Sequence, residues 1–400
     1  MPALIDARPA EPFADIKAAA AEAVEAAREE ILDLSHRIHA NPEPAFEEHR
    51  AAGWVAELLA GHGFEVERPA GRLATAVRAR LAGGKGSDGP RIGILAEYDA
   101  LPGLGHGCGH NTMASSGVGA AIALAAVRDA FAGEVVFLGT PAEERGSGKQ
   151  FMLEDGLFDG LDAALLYHPC DRNHVDIAPL ASEDVSVVFK GRQSHAASEP
   201  WEGRNALDAM IALFSSVGLW RQQLQPHCRV HGIIQEGGTA ANIIPDRTKA
   251  WFMIRSADQA YYGVMKDRFR RLCDAAAIAA DVEVEVEFSG YASTMKTNRV
   301  IANRWVANAE AYGVRDEGQD ASYGSTDMAN VSWSVPAIHP DLSITDGPTP
   351  AHSVEFRDAA ATPRADETVL TAATLVAQTA LDLFLDPALV EEAWAELRRP

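Results

Sequence analysis

The chain has 400 residues, 47 % of them hydrophobic, and a formal net charge of −22. This length and apolar content allow large cores and favour two domains over one. The acidic balance argues against binding to nucleic acid or to an anionic membrane, because such binders present a basic face. Four widely spaced cysteines predict no disulfide framework. We find no secretion signal and no run of about 20 apolar residues, so we expect a cytoplasmic protein.

The first 180 residues alternate between helical and strand patterns. Helical periodicity runs from Ala14 to His39 and from about Glu47 to Gly61, and a β-prone stretch follows at 75–81. The apolar runs RIGILAEY, EVVFLGT and DAALLYHP then alternate with helical segments. This order predicts an α/β domain in which helices cover both faces of a mostly parallel sheet.

The pattern changes near Glu183. From there the segments follow the order β-α-β-β-α-β, which is typical of a ferredoxin-like fold. The run VEVEVEF alternates strictly and predicts a sheet with one solvated face. Mixed α/β character resumes after Gly290 and ends in a long helix from Asp366 to Leu385. We therefore predict one α/β domain formed by residues 1–182 and 292–400, with an α+β domain inserted at 183–291.

Three predicted strands end in side chains that bind metals or transfer protons. Cys108 and His110 follow the first strand, Glu143 and Glu144 the second, and His168 the third. The carboxyl ends of parallel strands share one edge, where ligands collect. A thiolate, two imidazoles and a carboxylate at that edge suit Zn²⁺ or a similar divalent ion. The remaining glutamate could be the base that activates a water molecule.

Each motif alone also has a plainer interpretation. HGCGH could be a flexible glycine loop, adjacent glutamates are usually solvated, and a histidine at a strand end is often structural. His106 lies in the same loop and ranks below its two neighbours as a ligand. The equivalent position of all three motifs at the strand ends favours a shared site.

The chain resembles the M20 metallopeptidases, and in particular their amidohydrolase branch. It looks closest to the subgroup of p-aminobenzoyl-glutamate hydrolase and β-alanyl-lysine dipeptidase-like proteins. The resemblance runs from about residue 30 to 380. It is carried by the ordered strings SHRIHANPEPAFEE, LAEYDALPGLGHGCGHN, GTPAEE, HP at 168–169, KGRQSHAASEPWEGRNALDA, ANIIPD and AHS at 351–353.

The resemblance implies a binuclear metal site. It implies two divalent ions per chain, zinc or manganese before cobalt or nickel, with the ligands Cys108, His110, Glu144, His168 and His352. Glu143 matches the family's catalytic glutamate, which takes a proton from the attacking water and returns it to the leaving nitrogen. Composition alone would place His352 in a surface loop, so its role depends on the resemblance.

The resemblance also assigns roles within the inserted domain. It implies that this domain is a lid and that the protein forms a homodimer through it. His195 resembles the lid histidine that stabilises the oxyanion, often in the partner's active site. Asn242 and Arg255 resemble substrate contacts. Arg255 could clamp a carboxylate, and a structural salt bridge is the alternative.

Several positions depart from the branch or stay open. Asn111 stands where relatives often carry Asp, and Glu97-Tyr98-Asp99 replaces an Asp-x-Asp, which should alter the surroundings of the ligands. The roles of Asp99 and His106 are open, as is that of Asp327. Three aromatic residues, Trp201, Tyr323 and Trp333, could line a pocket or serve packing.

The leading hypothesis is a metal-dependent hydrolase. Its substrate would be a small molecule with an amide bond, such as an N-acyl amino acid, an aminoacyl amino acid or a dipeptide. Hydrolytic deamination of an aromatic amine on the same platform is the alternative, and release of ammonia would identify it. A non-catalytic binding protein that keeps the fold is a further alternative, although all six ligand and base positions are present.

Overall fold

The computed structural model describes residues 13–318 and 324–399. The chain divides into two compact units. Among the described residues, the first unit contains 13–177, 295–318 and 327–399, and the second contains 178–294 and 324–326.

Twelve strands and twelve α-helices are assigned within the described residues. The strands are β1 (Glu65–Glu67), β2 (Val77–Ala82), β3 (Arg91–Ala96), β4 (Glu134–Gly139), β5 (Ala163–Leu165), β6 (His168–Cys170), β7 (Ala181–Lys190), β8 (Arg229–Glu236), β9 (Arg247–Ser256), β10 (Glu283–Ala292), β11 (Ala337–Ile338) and β12 (Asp341–Ser343). The helices are α1 (Ala14–Ala26), α2 (Arg28–Ala40), α3 (His49–Gly61), α4 (His110–Ala126), α5 (Gly148–Glu154), α6 (Ala206–Arg221), α7 (Gln259–Ala280), α8 (Arg299–Glu310), α9 (Met328–Ser332), α10 (Val354–Ala359), α11 (Pro363–Leu385) and α12 (Pro387–Leu397).

The first unit is built on a six-stranded sheet in the order β1-β2-β4-β3-β5-β11. Strands β4, β3, β5 and β11 run parallel to one another, and β2 and β1 pair antiparallel at one end. The side chains of Ile92, Ile94 and Phe137 in the central strands are fully buried. The predicted mixed α/β fold with a mostly parallel sheet is confirmed.

Small residues let α4 pack closely on this sheet. A Cβ atom on Gly117 would lie 3.0 Å from the Cβ of Ala96 and 3.0 Å from the carbonyl oxygen of Leu95. Helix α11 packs against α4 and is long and apolar enough to cross a membrane. However, 83 % of its apolar window is buried inside the protein, as in a core helix.

The predicted helix from Ala14 to His39 is two helices, α1 and α2, separated at Ala27. The backbone N–H of Ala27 is shared between the carbonyls of Ala23 and Val24, which is common where a helix ends. No glycine or proline marks this break, so the sequence pattern carried no signal for it.

The second unit contains an antiparallel sheet in the order β10-β7-β9-β8. Its elements follow the chain order β7-α6-β8-β9-α7-β10, and both helices pack on one face. In β10 the side chains of Val284 and Val286 pack against the core of this unit, while Glu283, Glu285 and Glu287 are exposed. The role of this unit as a lid or dimerisation domain stays a prediction.

Candidate metal centre

A glycine turn places Cys108 and His110 at the start of α4. Gly109 directly precedes the helix and has a φ of 74°, in the left-handed region. A Cβ atom at this position would lie 2.8 Å from the Cγ of Pro169, so the turn requires glycine. The turn lets Cys108 and His110, one on each side of Gly109, contribute their side chains to one site.

The structure brings together the five side chains that the resemblance implied as ligands. The Sγ of Cys108 lies 3.5 Å from the Nε2 of His168. The carboxylate of Glu144 lies between two histidines, 3.9 Å from His110 Nε2 and 3.4 Å from His352 Nε2. Ligand atoms of Cys108, His110 and His168 all lie within 4.8 Å of one another, as do those of Cys108, Glu144 and His352.

A backbone hydrogen bond holds His352 beside the cysteine loop. The N–H of His352 donates to the carbonyl oxygen of Gly107 at 2.8 Å, and His352 has a φ of 62°. This contact joins the chain segment after β12 to the loop after β3. It explains how a histidine almost two hundred residues beyond His168 reaches the same site.

Asp99 orients two members of this cluster. Its Oδ1 accepts a hydrogen bond from the Nδ1–H of His110 at 2.9 Å, and its Oδ2 accepts from the backbone N–H of Glu144 at 2.9 Å. A carboxylate only accepts, so His110 carries a proton on Nδ1, and Nε2 is the ring nitrogen directed at the cluster. A metal ion bound there would take the place of any proton on Nε2. Asp341 lies near His168, with 3.7 Å between its Oδ1 and the Nδ1 of that ring, which is too long for a hydrogen bond.

Several ligand atoms in the cluster are buried without a hydrogen-bond partner. They are the Oε2 of Glu97, the Nε2 of His110 and the Oε1 of Glu144, considering the residues from 13 to 318 and from 324 to 399. Unpaired buried polar atoms of this kind are costly unless a cation or water satisfies them. Ligands around a tetrahedral Zn²⁺ ion are about 3.3–3.6 Å apart, which matches the 3.4 and 3.5 Å separations. The mixture of sulfur, nitrogen and oxygen therefore fits a divalent metal ion.

Burial sets the proton affinity of the cluster. It lowers the pKa of His168 to about 3, with help from His110, so His168 is neutral as a metal ligand must be. Burial and the nearby Glu144 raise the pKa of the Cys108 thiol well above its usual range. A bound cation would reverse that second effect, because metal coordination favours the thiolate.

Glu143 lies beside this group in a different environment. Its carboxylate belongs to a set with Glu97 and His110 in which the ligand atoms lie within 4.8 Å of one another. Burial raises the pKa of Glu143 well above its usual range, and the neighbouring Glu97, Glu144 and Asp327 add to this effect. A carboxyl group with a raised pKa binds a proton more tightly than a solvated one, which favours a role as general base and acid.

Five further residues near the cluster were missed in the sequence analysis or given no role there. Asp341 and His339 form a set with His168 within 4.8 Å, and both follow a short apolar run, which is the same signal that found Glu144. Lys149 has a fully buried side chain and contacts Glu97 and Asp327. No sequence signal distinguishes this lysine from a solvated one at the start of a helix.

His106 lies outside these sets of ligand atoms. Its ring is buried, its Nε2 lies 3.1 Å from the carbonyl oxygen of Ile38, and it stacks on His39 with 6.1 Å between ring centroids.

In the second unit, His195 and Asn242 lie together. The Nδ1 of His195 accepts hydrogen bonds from the backbone N–H groups of Ala197 and Ser198 at 3.2 and 3.1 Å. The N–H of Ala196 donates to the carbonyl of Asn242 at 3.0 Å.

Arg255 lies elsewhere on the same unit, near the far end of β9. At about 3.3 Å per residue it is roughly 26 Å along the strand from Arg247, where β9 begins close to Asn242. The structure therefore does not bring Arg255 to His195 within one chain. Of the three aromatic residues, Trp201 and Trp333 are exposed, and Tyr323 lies outside the described residues.

Comparison with known proteins places this arrangement in a family. The model of peptidase family M20/M25/M40 matches residues 93–376. The chain is 38 % identical to the Xaa-Arg dipeptidase of Mus musculus, over 98 % of this chain and 96 % of that protein. It is 29 % identical to one of the chains of the p-aminobenzoyl-glutamate hydrolase of Escherichia coli (strain K12), over 94 % of this chain and 93 % of that one.

Solved structures share the fold. The aminobenzoyl-glutamate utilization protein of Klebsiella pneumoniae superposes with a TM-score of 0.73 at 20 % identity, covering 91 % of this chain and 98 % of the other. A dinuclear metal-binding peptidase of the M20 family from Bacillus subtilis superposes with a TM-score of 0.70 at 22 % identity, covering 90 % and 99 %. The chain is thus a member of peptidase family M20/M25/M40 and an amide-bond hydrolase of that family.

Proposed function

We propose that this protein hydrolyses the amide bond of a dipeptide or an N-acyl amino acid with the help of two divalent metal ions. The observation that carries the proposal is the convergence of one thiol, three imidazoles and one carboxylate in a partly buried cluster. The dinuclear relative from Bacillus subtilis supports the number of ions. Zinc is the first candidate because of the sulfur and nitrogen ligands, and manganese is the second because of the carboxylate oxygen.

Cys108, His110, Glu144, His168 and His352 would hold the two ions. When bound, the ions polarise the scissile carbonyl and make the attacking water more acidic. Glu143 would take the proton of that water and return it to the leaving nitrogen. Burial and the neighbouring acids raise the pKa of this carboxyl, which favours its uptake of the proton.

The tautomer of His195 supports a role for this residue as a donor to the substrate. Because its Nδ1 accepts two backbone hydrogen bonds, the proton lies on Nε2. The side chain is exposed, so this N–H is available to a developing oxyanion. The backbone contacts fix the ring, which reduces the entropy lost when it engages a substrate.

For the substrate we propose a dipeptide that ends in a basic residue. The Xaa-Arg dipeptidase of Mus musculus is 38 % identical over nearly the whole chain, and the net charge of −22 favours the approach of a cationic substrate. An aminobenzoyl-glutamate substrate is the second candidate, on the basis of the Escherichia coli relative.

A substrate screen tests this proposal. Xaa-Arg and Xaa-Lys dipeptides, N-acyl amino acids and p-aminobenzoyl-glutamate would be incubated with protein supplied with Zn²⁺ or Mn²⁺, and the free amino acid quantified. We expect the highest kcat/KM with the basic dipeptides. Release of ammonia without a free amino acid would indicate deamination instead, and no turnover of any amide with either metal would refute the proposal.

We also propose that the protein forms a homodimer through the second unit. Strand β8 is at the edge of its sheet and pairs only with β9 among the described residues. Ile233 and Ile234 on this strand are 56 % and 43 % exposed. Leu219 on α6, which packs against β8, is 78 % exposed. An exposed edge with apolar side chains is suited to pairing with a second copy of the same strand.

A further inference from the structure

The ammonium group of Lys149 is buried beside the cluster of ligand atoms. The Nζ of Lys149 is 2.5 Å from the Oε1 of Glu97 and 2.6 Å from the Oδ1 of Asp327. The backbone N–H of Lys149 also donates to Asp327 Oδ2 at 2.9 Å. The side chains of all three residues are at most 1 % exposed. Because buried charges are costly unless they are paired, this group holds its members in fixed positions.

The other oxygen of Glu97 is unpaired. Its Oε2 is buried, has no hydrogen-bond partner within the described part of the chain, and lies 3.3 Å from the Nε2 of His110. That nitrogen is also buried and unpartnered. Since the Nδ1–H of His110 donates to Asp99, Nε2 is the ring nitrogen that faces Glu97. A carboxylate oxygen and an imidazole nitrogen therefore face each other without a hydrogen bond between them.

Only a proton or a cation between the two atoms makes this arrangement favourable. Two ligands of a tetrahedral Zn²⁺ ion, with bonds of about 2.0–2.2 Å, lie about 3.3–3.5 Å apart. The observed 3.3 Å agrees with that distance. Lys149 fixes one oxygen of Glu97, and this leaves the second oxygen directed at His110.

We propose that Glu97 is a further metal ligand, whose Oε2 binds the same ion as the Nε2 of His110. Lys149 is then a positioning residue, since it acts only through Glu97. The inference rests on the proposed binuclear centre and adds a sixth protein ligand to it. A proton shared between Glu97 and His110 is the competing explanation.

Metal binding to purified protein tests the proposal without reference to activity. The metal-free protein would be titrated with Zn²⁺ in competition with a chromophoric chelator, and the bound metal counted after dialysis. We expect two ions for the wild type. For Glu97→Gln, which keeps the size of the side chain but lacks the anionic oxygen, we expect one ion to bind at least tenfold more weakly and the other to be unchanged. Glu97→Asp withdraws the carboxylate by about one C–C bond, ~1.5 Å, and should show the same selective loss.

Lys17→Met provides a matched control. Lys17 is a buried lysine of the same unit that pairs with Asp382 at 2.8 Å, and neither residue belongs to the sets of ligand atoms. This variant should lose stability as Lys149→Met does, yet bind both ions with wild-type affinity. Lys149→Met should instead weaken the binding of one ion, because Glu97 is no longer held in place.

The outcomes separate the possible failures. Two ions bound with wild-type affinity by both Glu97→Gln and Glu97→Asp would overturn the inference and favour the shared proton. If the wild type itself binds fewer than two ions, the proposed binuclear centre fails, whatever the role of Glu97. If Glu97→Gln does not fold, Glu97→Asp, which keeps a negative charge to balance Lys149, decides the question.

Discussion

Asp99 accepts a hydrogen bond from the Nδ1–H of His110 at 2.9 Å, and this contact determines which ring nitrogen faces the metal centre. The second oxygen of Asp99 accepts the backbone N–H of Glu144 at the same distance. One carboxylate therefore orients two of the proposed ligands, although it belongs to none of the four sets of ligand atoms. This is the usual relation between a carboxylate and a metal-binding histidine.

Asp99→Asn should lower metal affinity. An amide cannot accept from both groups as the carboxylate does, and it stabilises the Nδ1–H tautomer less. We expect zinc to bind about 10–100-fold more weakly in a competition titration. Asp366→Asn is the control, because Asp366 makes a comparable 2.8 Å contact with the exposed His36 away from the cluster. An unchanged affinity in Asp99→Asn would show that the tautomer of His110 does not depend on Asp99.

The sequence signals that found the site were local. Cys108, His110, Glu144 and His168 each follow an apolar run that forms β3, β4 or β5, so their convergence could be predicted. His168 itself lies in β6, which pairs with β12 in a separate two-stranded sheet. His352 follows no such pattern, and only the resemblance indicated it. Its position depends on a backbone hydrogen bond to Gly107, which connects distant parts of the chain and leaves no local signal.

Buried charges were the least predictable part of the centre. Lys149 begins a short helix and would ordinarily be solvated, but its side chain is fully buried between Glu97 and Asp327. Such a group forms only when three separate segments are folded together. Periodicity within one segment cannot report it. The break at Ala27 was missed for a different reason, since no glycine or proline marks it.

Glu143→Gln should abolish turnover while the metal stays bound. The amide has nearly the same shape but cannot take up a proton, and loss of a general acid–base typically costs 10²–10⁴-fold in rate. The measurement is kcat on the best substrate of the screen, with the metal content determined on the same sample. Activity within about tenfold of the wild type, at full metal content, would exclude Glu143 as the proton carrier.

Glu48 should make stability depend on pH. Its carboxylate is fully buried and accepts hydrogen bonds from the Thr75 hydroxyl and from the backbone N–H of Ala142, directly before Glu143. Burial raises the pKa of Glu48 from 4.5 to about 7, and the negative charge of Asp99 adds to this. Tyr98 also faces this group.

The folded state thus binds the proton of Glu48 more tightly than the unfolded state does. The stability gained from this proton is complete below pH 4.5 and is lost as the pH rises to about 7, a change of about 3 kcal/mol. Denaturant unfolding at several pH values should show the free energy of unfolding of the wild type falling relative to that of Glu48→Gln over this range. Parallel curves for the two proteins would contradict the assignment.

His195→Asn should lower kcat without loss of metal. The oxygen of asparagine can replace the Nδ1 of the ring and accept from Ala197 and Ser198, but the distant N–H donor is lost. Removal of one oxyanion donor costs about 10²–10³-fold in kcat. His195→Gln, which can restore a donor near the position of Nε2, should recover part of the rate. Equal rates for the wild type and His195→Asn would remove His195 from the mechanism.

Substitution on the exposed edge of the second unit should separate the proposed dimer. Ile234→Lys places a charge on β8, and Leu219→Lys places one on the neighbouring face of α6. Light scattering at micromolar concentration should show dimers for the wild type and monomers for both variants, because burying an unpaired ammonium is unfavourable. Ile278→Lys on α7 is the control: Ile278 is 81 % exposed but lies on a helix that contacts β7, β9 and β10, whereas α6 contacts the edge strand β8. If all three variants remain dimers, the interface lies elsewhere on the protein. A monomeric wild type would rule the dimer out.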